Sequence, residues 1–259
     1  MNPVDEFKKQ VSENIQALGN DKDVQALSRI WSRETNKLGY TYNFSWLGRP
    51  VIQYPQDLLA MQELISEIQP DLIIETGIAH GGSLIFSASM LAMLDYCEAV
   101  EQGSSLDPRA SKRRVLGIDI DIRKHNHDAI KAHPMSHMID MIQGSSIDND
   151  TISKVREYAK GYKRILVCLD SNHTHDHVLE ELEAYADLVS VGSYCVVFDT
   201  LVEDMPADMF EGRPWGPGNS PKSAVKEYLK QHAEFEIDKE IDHKLQISVA
   251  PDGYLKRVR

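Results

Sequence analysis

Four acidic side chains, Glu75, Asp119, Asp170 and Asp199, each close a short apolar run of the kind that forms a buried strand, and a polar Gly144-Ser145-Ser146 closes another. In doubly wound sheets ligands gather at the carboxyl ends of the strands, so these closures are the first place to look for chemistry. The run Asp71-Leu-Ile-Ile-Glu75-Thr-Gly77-Ile-Ala-His80-Gly81-Gly82-Ser83 leads directly into a helical pattern. Its glycines permit a tight turn and close approach of a ligand to the backbone, and the helix N-terminus behind them offers free N–H groups. The spacing is Gly-x3-Gly-Gly, not the Gly-x-Gly-x2-Gly of a pyrophosphate loop, and an acid precedes it. That combination suits adenosylmethionine, whose amino-acid end carries a positive charge for Glu75 to face. His80 lies in the same loop and is counted with the cofactor-contacting residues, as is Asp170. A glycine-rich turn without a ligand is the plain alternative.

Asp119 ends Gly117-Ile-Asp-Ile-Asp121 and is a suitable bidentate acceptor for two vicinal ribose hydroxyls. It lies 42 residues after Gly77, well beyond the roughly 20 of a dinucleotide fold. The excess is assigned to a polar surface insertion, 98–114, and Asp121 is the expected cap of the next helix. Asp170 and Asp199, on neighbouring strand ends with Asn172 and Thr200 beside them, form an oxygen-rich arrangement suited to magnesium or manganese. Two capping aspartates are the simpler alternative. His173, three residues past Asp170, is the candidate general base. The run His173-Thr-His175-Asp176-His177 is similar to the zinc-ligand run of metallo-β-lactamase-like hydrolases but is one residue short. Asp176 is therefore expected to cap a helix over 178–189, with His175 and His177 solvated in its first turn.

Positioning these residues requires an α/β architecture. Apolar runs at 71–75, 115–119, 138–143, 165–170 and 194–199 alternate with helical stretches beginning near Gly81, Ile122, Asp150, Asp176 and Pro221, which indicates a mostly parallel sheet covered on both faces. The runs 235–241 and 244–250 read as a closing antiparallel hairpin, giving about seven strands. Residues 5–38 read as amphipathic helices interrupted near Gly19-Asn20-Asp21, followed by an aromatic connector, so the chain divides into an N-terminal helical extension, 1–54, and a catalytic domain, 55–259. The long segment Leu201–Asn219, with Trp215, follows Asp199 and is the candidate substrate lid.

Composition narrows the field. The chain carries 40 acidic against 28 basic side chains, a net charge of −12, which disfavours nucleic acid and anionic membrane surfaces as partners. Three widely spaced cysteines, Cys97, Cys168 and Cys195, fit a reducing cytoplasm and argue against both disulfides and a thiolate zinc site. The N-terminus lacks a signal pattern, and the most apolar stretch, Leu84–Leu94, is too short to span a bilayer.

With these residues assembled, the chain resembles the class I adenosylmethionine-dependent methyltransferases, and within them the family known as cephalosporin hydroxylase, related to rhamnosyl O-methyltransferases. The resemblance covers about residues 45 to 258. It rests on ordered blocks that include Trp46–Asp57, Glu75–Ser83, Gly117–Arg123, Leu169–His175, Gly192–Thr200, Pro214–Asn219 and Val249–Tyr254. It implies a Rossmann-like fold. Likeness to the catechol O-methyltransferase group further implies that Ser83 binds the methionine carboxylate, Asp119 the ribose, and Ser145 and Ser146 the adenine side. By the same likeness Asp170, Asp199 and Thr200 hold Mg2+, and His173 replaces a catalytic lysine. The chain departs from its relatives where Phe198 stands in place of a glutamate and Thr200 in place of an asparagine. No two-histidine-one-carboxylate iron set supports hydroxylase chemistry. The expected activity is O-methylation of a small-molecule hydroxyl by S-adenosylmethionine in a homo-oligomer whose interface uses the N-terminal segment. A non-catalytic cofactor-binding scaffold and a metal-dependent hydrolase are the alternatives.

Overall fold

A computed structural model describes residues 2–259. Two helices, α1 (Pro3–Asn20) and α2 (Lys22–Asn36), precede a small hairpin of β1 (Phe44–Trp46) and β2 (Arg49–Val51). Asp21 separates the helices by accepting from the Asp23 and Val24 amides and so capping α2. The connector is held by aromatic edges: Trp31 and Tyr40 both pack on the fully buried Tyr54 ring. Gly19 lies so close over His243 that a Cβ would sit 2.2 Å from the imidazole ring.

The main sheet alternates with helices in chain order: α3 (Pro55–Ile68), β3 (Leu72–Thr76), α4 (Gly82–Gln102), β4 (Arg114–Asp119), α5 (Lys124–Ala132), β5 (Ile139–Gln143), α6 (Asn149–Ala159), β6 (Ile165–Leu169), α7 (His175–Tyr185), β7 (Tyr194–Val197), α8 (Pro221–Tyr228), β8 (Phe235–Ile237), α9 (Lys239–Leu245) and β9 (Tyr254–Arg257). The strand order is β5-β4-β3-β6-β7-β9-β8. The first five strands in that order run parallel, and β9 is antiparallel to both β7 and β8. Every residue of β3, β6 and β7 is buried, as strands covered on both faces require. One core lies between the sheet and α3 and α4, with Ile65, Leu84 and Leu91; the other lies against α6, α7 and α8, with Val155, Leu182 and Val225. Although α4 has the length and composition to cross a membrane, Leu84, Ile85, Phe86, Ala88 and Leu91 are buried in the protein core.

The closing hairpin forms between different residues from those expected. β8 pairs with β9 at 254–257, not with 244–250. Within 239–245, Ile241 and Leu245 fall four residues apart and pack on the core, and Asp238 accepts from the Glu240 amide to cap α9. The backbone of 248–250 is claimed by α3: the buried Asp57 carboxylate accepts from the Ser248 hydroxyl, the Val249 amide and the Tyr254 hydroxyl. The insertion after α4 is shorter than expected because that helix continues to Gln102, where Arg113 returns to pair with Asp95 and Glu98. Neither expected cap forms. Asp121 is exposed and α5 starts after Arg123. Helix α7 begins at His175 with Thr174 at its cap, where Asn172 accepts from the Thr174 amide.

Candidate active site

At the carboxyl end of β3 the chain turns through Gly77 with φ 88°, and a Cβ there would lie 1.9 Å from the Asp170 carbonyl oxygen. Only glycine permits this crossing of the β3 and β6 loops. Gly82 likewise sits against Pro50, whose carbonyl oxygen would be 2.1 Å from a Cβ. Gly81 gives α4 its left-handed N-cap. Glu75 is buried below the loop and accepts from the Ser83 hydroxyl. Burial pushes its carboxyl up to about 7. Ser83 is thus engaged with Glu75, where the resemblance implied a methionine carboxylate.

Asp119 holds the loop from the neighbouring strand. Its Oδ2 accepts from the Ile78 amide at 2.8 Å and the Ala79 amide at 3.3 Å, and its Oδ1 from the Asp121 amide at 3.0 Å. Two residues that the sequence did not single out complete the strap. Arg49 donates to the His80 carbonyl through Nε (3.0 Å) and Nη2 (2.6 Å), and Asn126 donates to the Ala79 carbonyl at 2.8 Å. Arg49 also reaches Asn126 at 3.1 Å. These contacts span 31 to 77 residues of chain, so no local pattern announces them.

Beside the loop is a cavity of about 200 Å3 whose walls include Gly77, His80, Ser83, Asp170, His173 and Asp199. Asp170, His173 and Asp199 each offer a ligand atom, all within 4.8 Å of one another, and His173 Nε2 is 3.1 Å from Asp199 Oδ2. Burial and the Asp199, Glu75 and Glu181 carboxylates push the Asp170 carboxyl well above the usual range. Among the described residues no lysine or arginine pairs with either aspartate; Asp170 receives only the Gln53 amide, at 3.1 Å. Such crowding of acids with no lysine or arginine to offset them fits a divalent cation. Asp199 itself adopts a left-handed backbone, φ 54°, a conformation that aspartate tolerates better than most residues. Thr200, the third expected ligand, is fully buried and its hydroxyl donates to the Pro251 carbonyl at 2.7 Å, while the His173 imidazole lies beside the two aspartates. Phe198 is buried in the core and lines a small void together with Asp57, Glu75 and Asp170.

Ser145 and Ser146 stand apart from this cavity, at the end of β5. Ser146 is buried, its hydroxyl 3.0 Å from His177 Nε2, and Ser171 reaches the same nitrogen at 3.1 Å and the buried Glu181 at 2.7 Å. His177 is therefore built into a polar network that joins the ends of β5 and β6; it is not a solvated surface residue. His175 points elsewhere, to the Ser223 hydroxyl at 2.8 Å. The three histidines of the 173–177 run do not converge, which removes the hydrolase ligand pattern.

The segment after β7 is ordered by its own contacts. Glu203 accepts from the Gly218 amide and the Ser220 hydroxyl, and Asn219 bridges the Pro214 carbonyl and the His175 amide. This brings the Trp215 and His173 rings into a T-shaped contact, with centroids 4.8 Å apart and planes at 87°. Under it is a second cavity of about 240 Å3 lined by Met205, Met209, Phe210 and Trp215, which shares Tyr42, His173 and Asp199 with the first.

The glycine-rich turn after β3, the acids closing successive strands and the reversed strand in a seven-stranded sheet define an adenosylmethionine-dependent methyltransferase. The profile of the rhamnosyl O-methyltransferase/CmcI family matches residues 38–258, and the chain belongs to that family. It is 28% identical over 207 residues to the rhamnosyl O-methyltransferase of Mycobacterium tuberculosis, covering 78% of this chain and 73% of that protein. It is 25% identical over 217 residues to that of Mycobacterium leprae, covering 82% of each. Solved structures of CmcI share the fold: an apo form of the N160 protein (TM-score 0.54, 17% identity, 84% of this chain and 77% of that one) and a Mg-SAM form of the D160 protein (TM-score 0.54, 18% identity, 84% and 78%).

Proposed function

We propose that this chain transfers a methyl group from S-adenosylmethionine to a hydroxyl of a small molecule, of a sugar or secondary-metabolite type. The protein is an adenosylmethionine-dependent O-methyltransferase of its family. The observation that carries the assignment of its site is the meeting of two cavities at one titratable cluster. One is floored by the glycine-rich loop and the other is walled by methionine and aromatic side chains, and His173 and Asp199 belong to both. The first suits the methyl donor and the second the acceptor.

Asp170 and Asp199, with His173 beside them, would hold a divalent cation, Mg2+ being the one expected. When bound it supplies Lewis-acid polarisation of the acceptor oxygen. The chain's own groups do the rest. The loop strapped by Asp119, Arg49 and Asn126 presents a fixed surface to the donor, so alignment costs little at the moment of reaction. His173, oriented by Asp199 at Nε2, can accept the hydroxyl proton at Nδ1. Trp215 shields this imidazole from solvent. An Arg213 guanidinium lies 5.3 Å from the Trp215 ring and supports that shield. The M. tuberculosis relative is named for a rhamnosyl acceptor, and the second cavity, whose walls mix Met205, Met209, Phe210 and Trp215 with Asn36, Thr41 and Arg213, fits a sugar ring with both apolar and hydroxyl faces.

The test is calorimetric titration of S-adenosylmethionine and S-adenosylhomocysteine into the wild-type and Asp119→Ala proteins, followed by turnover over a panel of glycosyl hydroxyl acceptors. Micromolar binding lost in Asp119→Ala, with turnover lost in His173→Ala, is the expected result. Absence of any cofactor binding would overturn the assignment, and binding without turnover would favour a non-catalytic scaffold.

A further inference from the structure

Gln53 is buried to 5% exposure in the segment between β2 and α3 and carries one polar atom with no partner. Its Nε2 donates to Asp170 Oδ2 at 3.1 Å, which assigns the orientation of the amide. The carbonyl oxygen Oε1 is then left buried and unpartnered. A buried acceptor without a donor is costly, and in a native protein such an atom marks a missing ligand or water. Its surroundings narrow the choice. Gln53, Ser83 and Asp170 line both the loop-side cavity and a small void of about 20 Å3 beneath it, and that void is also lined by Glu75. The void holds no more than about one water, so it is an alcove at the base of the donor cavity, too small to be a separate site. Its walls are mostly apolar, with the Asp57, Glu75 and Asp170 carboxylates and the Ser87 hydroxyl beside Gln53, while the Ser83 hydroxyl is engaged with Glu75. A compact hydrogen-bond donor with positive charge suits the three acids and the free Gln53 oxygen.

We propose that Gln53 is a cofactor-binding residue whose Oε1 receives the α-ammonium group of the methionine moiety, while its Nε2 holds Asp170 beside it. This rests on the methyltransferase reading above and adds the residue that selects the amino-acid end of the cofactor. An ammonium carries three donors, enough for Gln53 Oε1 and for the Glu75 and Asp170 carboxylates around the alcove. The neutral amide adds an acceptor without a further negative charge in a place where the acids already repel one another.

The experiment compares two ligands that share the adenosine half: S-adenosylhomocysteine, which has the ammonium, and 5′-methylthioadenosine, which lacks the amino-acid end. Dissociation constants are measured for the wild-type, Gln53→Met and Gln53→Leu proteins, each in chelator and in magnesium. A hydrogen bond to a charged group predicts that both variants bind S-adenosylhomocysteine about tenfold or more weakly, with 5′-methylthioadenosine unchanged within twofold and the same loss with and without magnesium. Retained 5′-methylthioadenosine binding also shows that the variants fold. Unchanged S-adenosylhomocysteine affinity, or parallel loss of both ligands, would overturn the proposal, and so would a loss confined to the magnesium arm, which would make Gln53 a metal-site residue. Wild-type protein that binds neither ligand would bring down the methyltransferase reading and this proposal with it.

Discussion

Trp215 and Glu75 show how single side chains tune the site from opposite sides. Trp215 meets His173 in a T-shaped contact and walls the acceptor cavity. Replacing it with alanine opens the imidazole to water and removes acceptor contacts, so kcat/KM for the acceptor should fall at least tenfold while S-adenosylhomocysteine affinity stays within twofold. Steady-state kinetics and calorimetry check the two halves of that statement. Glu75 carries a carboxyl raised to about 7 by burial. Since the native state favours its protonated form, Glu75 contributes stability below the unfolded-state pKa and loses it as pH rises from about 4.5 through 7. The loss for a shift of that size is about 3 kcal/mol. In cofactor-free protein, Glu75→Gln should therefore raise Tm relative to wild type at pH 8 and leave the difference small or reversed at pH 5. Equal Tm differences at the two pH values would show that Glu75 does not titrate in this window.

At the scale of elements, the site depends on segments far apart in sequence. Asp57, in the first turn of α3, accepts from Ser248, Val249 and Tyr254. The same 248–251 stretch holds the active-site loop through Val249, whose carbonyl accepts from the Leu201 amide, and Pro251, which accepts from the Thr200 hydroxyl. Asp57→Ala leaves three buried donors without an acceptor and should cost about 2 kcal/mol or more of unfolding free energy, measured by urea titration. Activity should fall further than that stability loss alone explains, because the Asp199 loop loses its support. The alternation of doubly buried strands with helices was legible in the chain because such strands carry unbroken apolar runs, Leu72–Ile74, Ile165–Leu169 and Tyr194–Val197. Helix α9 was not legible: seven residues are too few to show a helical period, and Phe235–Ile241 reads equally well as a strand.

For the whole molecule, legibility divides by sequence distance. Glu75, Asp119, Asp170 and Asp199 could be found because a strand end is a local event. Arg49, Asn126, Gln53 and the link from His177 to Ser146 could not, because each acts through partners on other elements; Gln53, for example, reaches 117 residues along the chain to Asp170. The bond from the Thr200 hydroxyl to the Pro251 carbonyl, 51 residues away, was hidden for the same reason.

The overlap of the two cavities has a consequence for the order of events. Tyr42, His173 and Asp199 border both spaces, so the acceptor's seat under Trp215 is completed by groups that also line the donor's. Turnover should then follow a compulsory sequence, with donor before acceptor and methylated product leaving before S-adenosylhomocysteine. Initial-rate measurements should show S-adenosylhomocysteine as a competitive inhibitor against the donor and a noncompetitive one against the acceptor. The methylated product should be noncompetitive against both, whereas competition between that product and the acceptor would mean that the two spaces fill and empty independently.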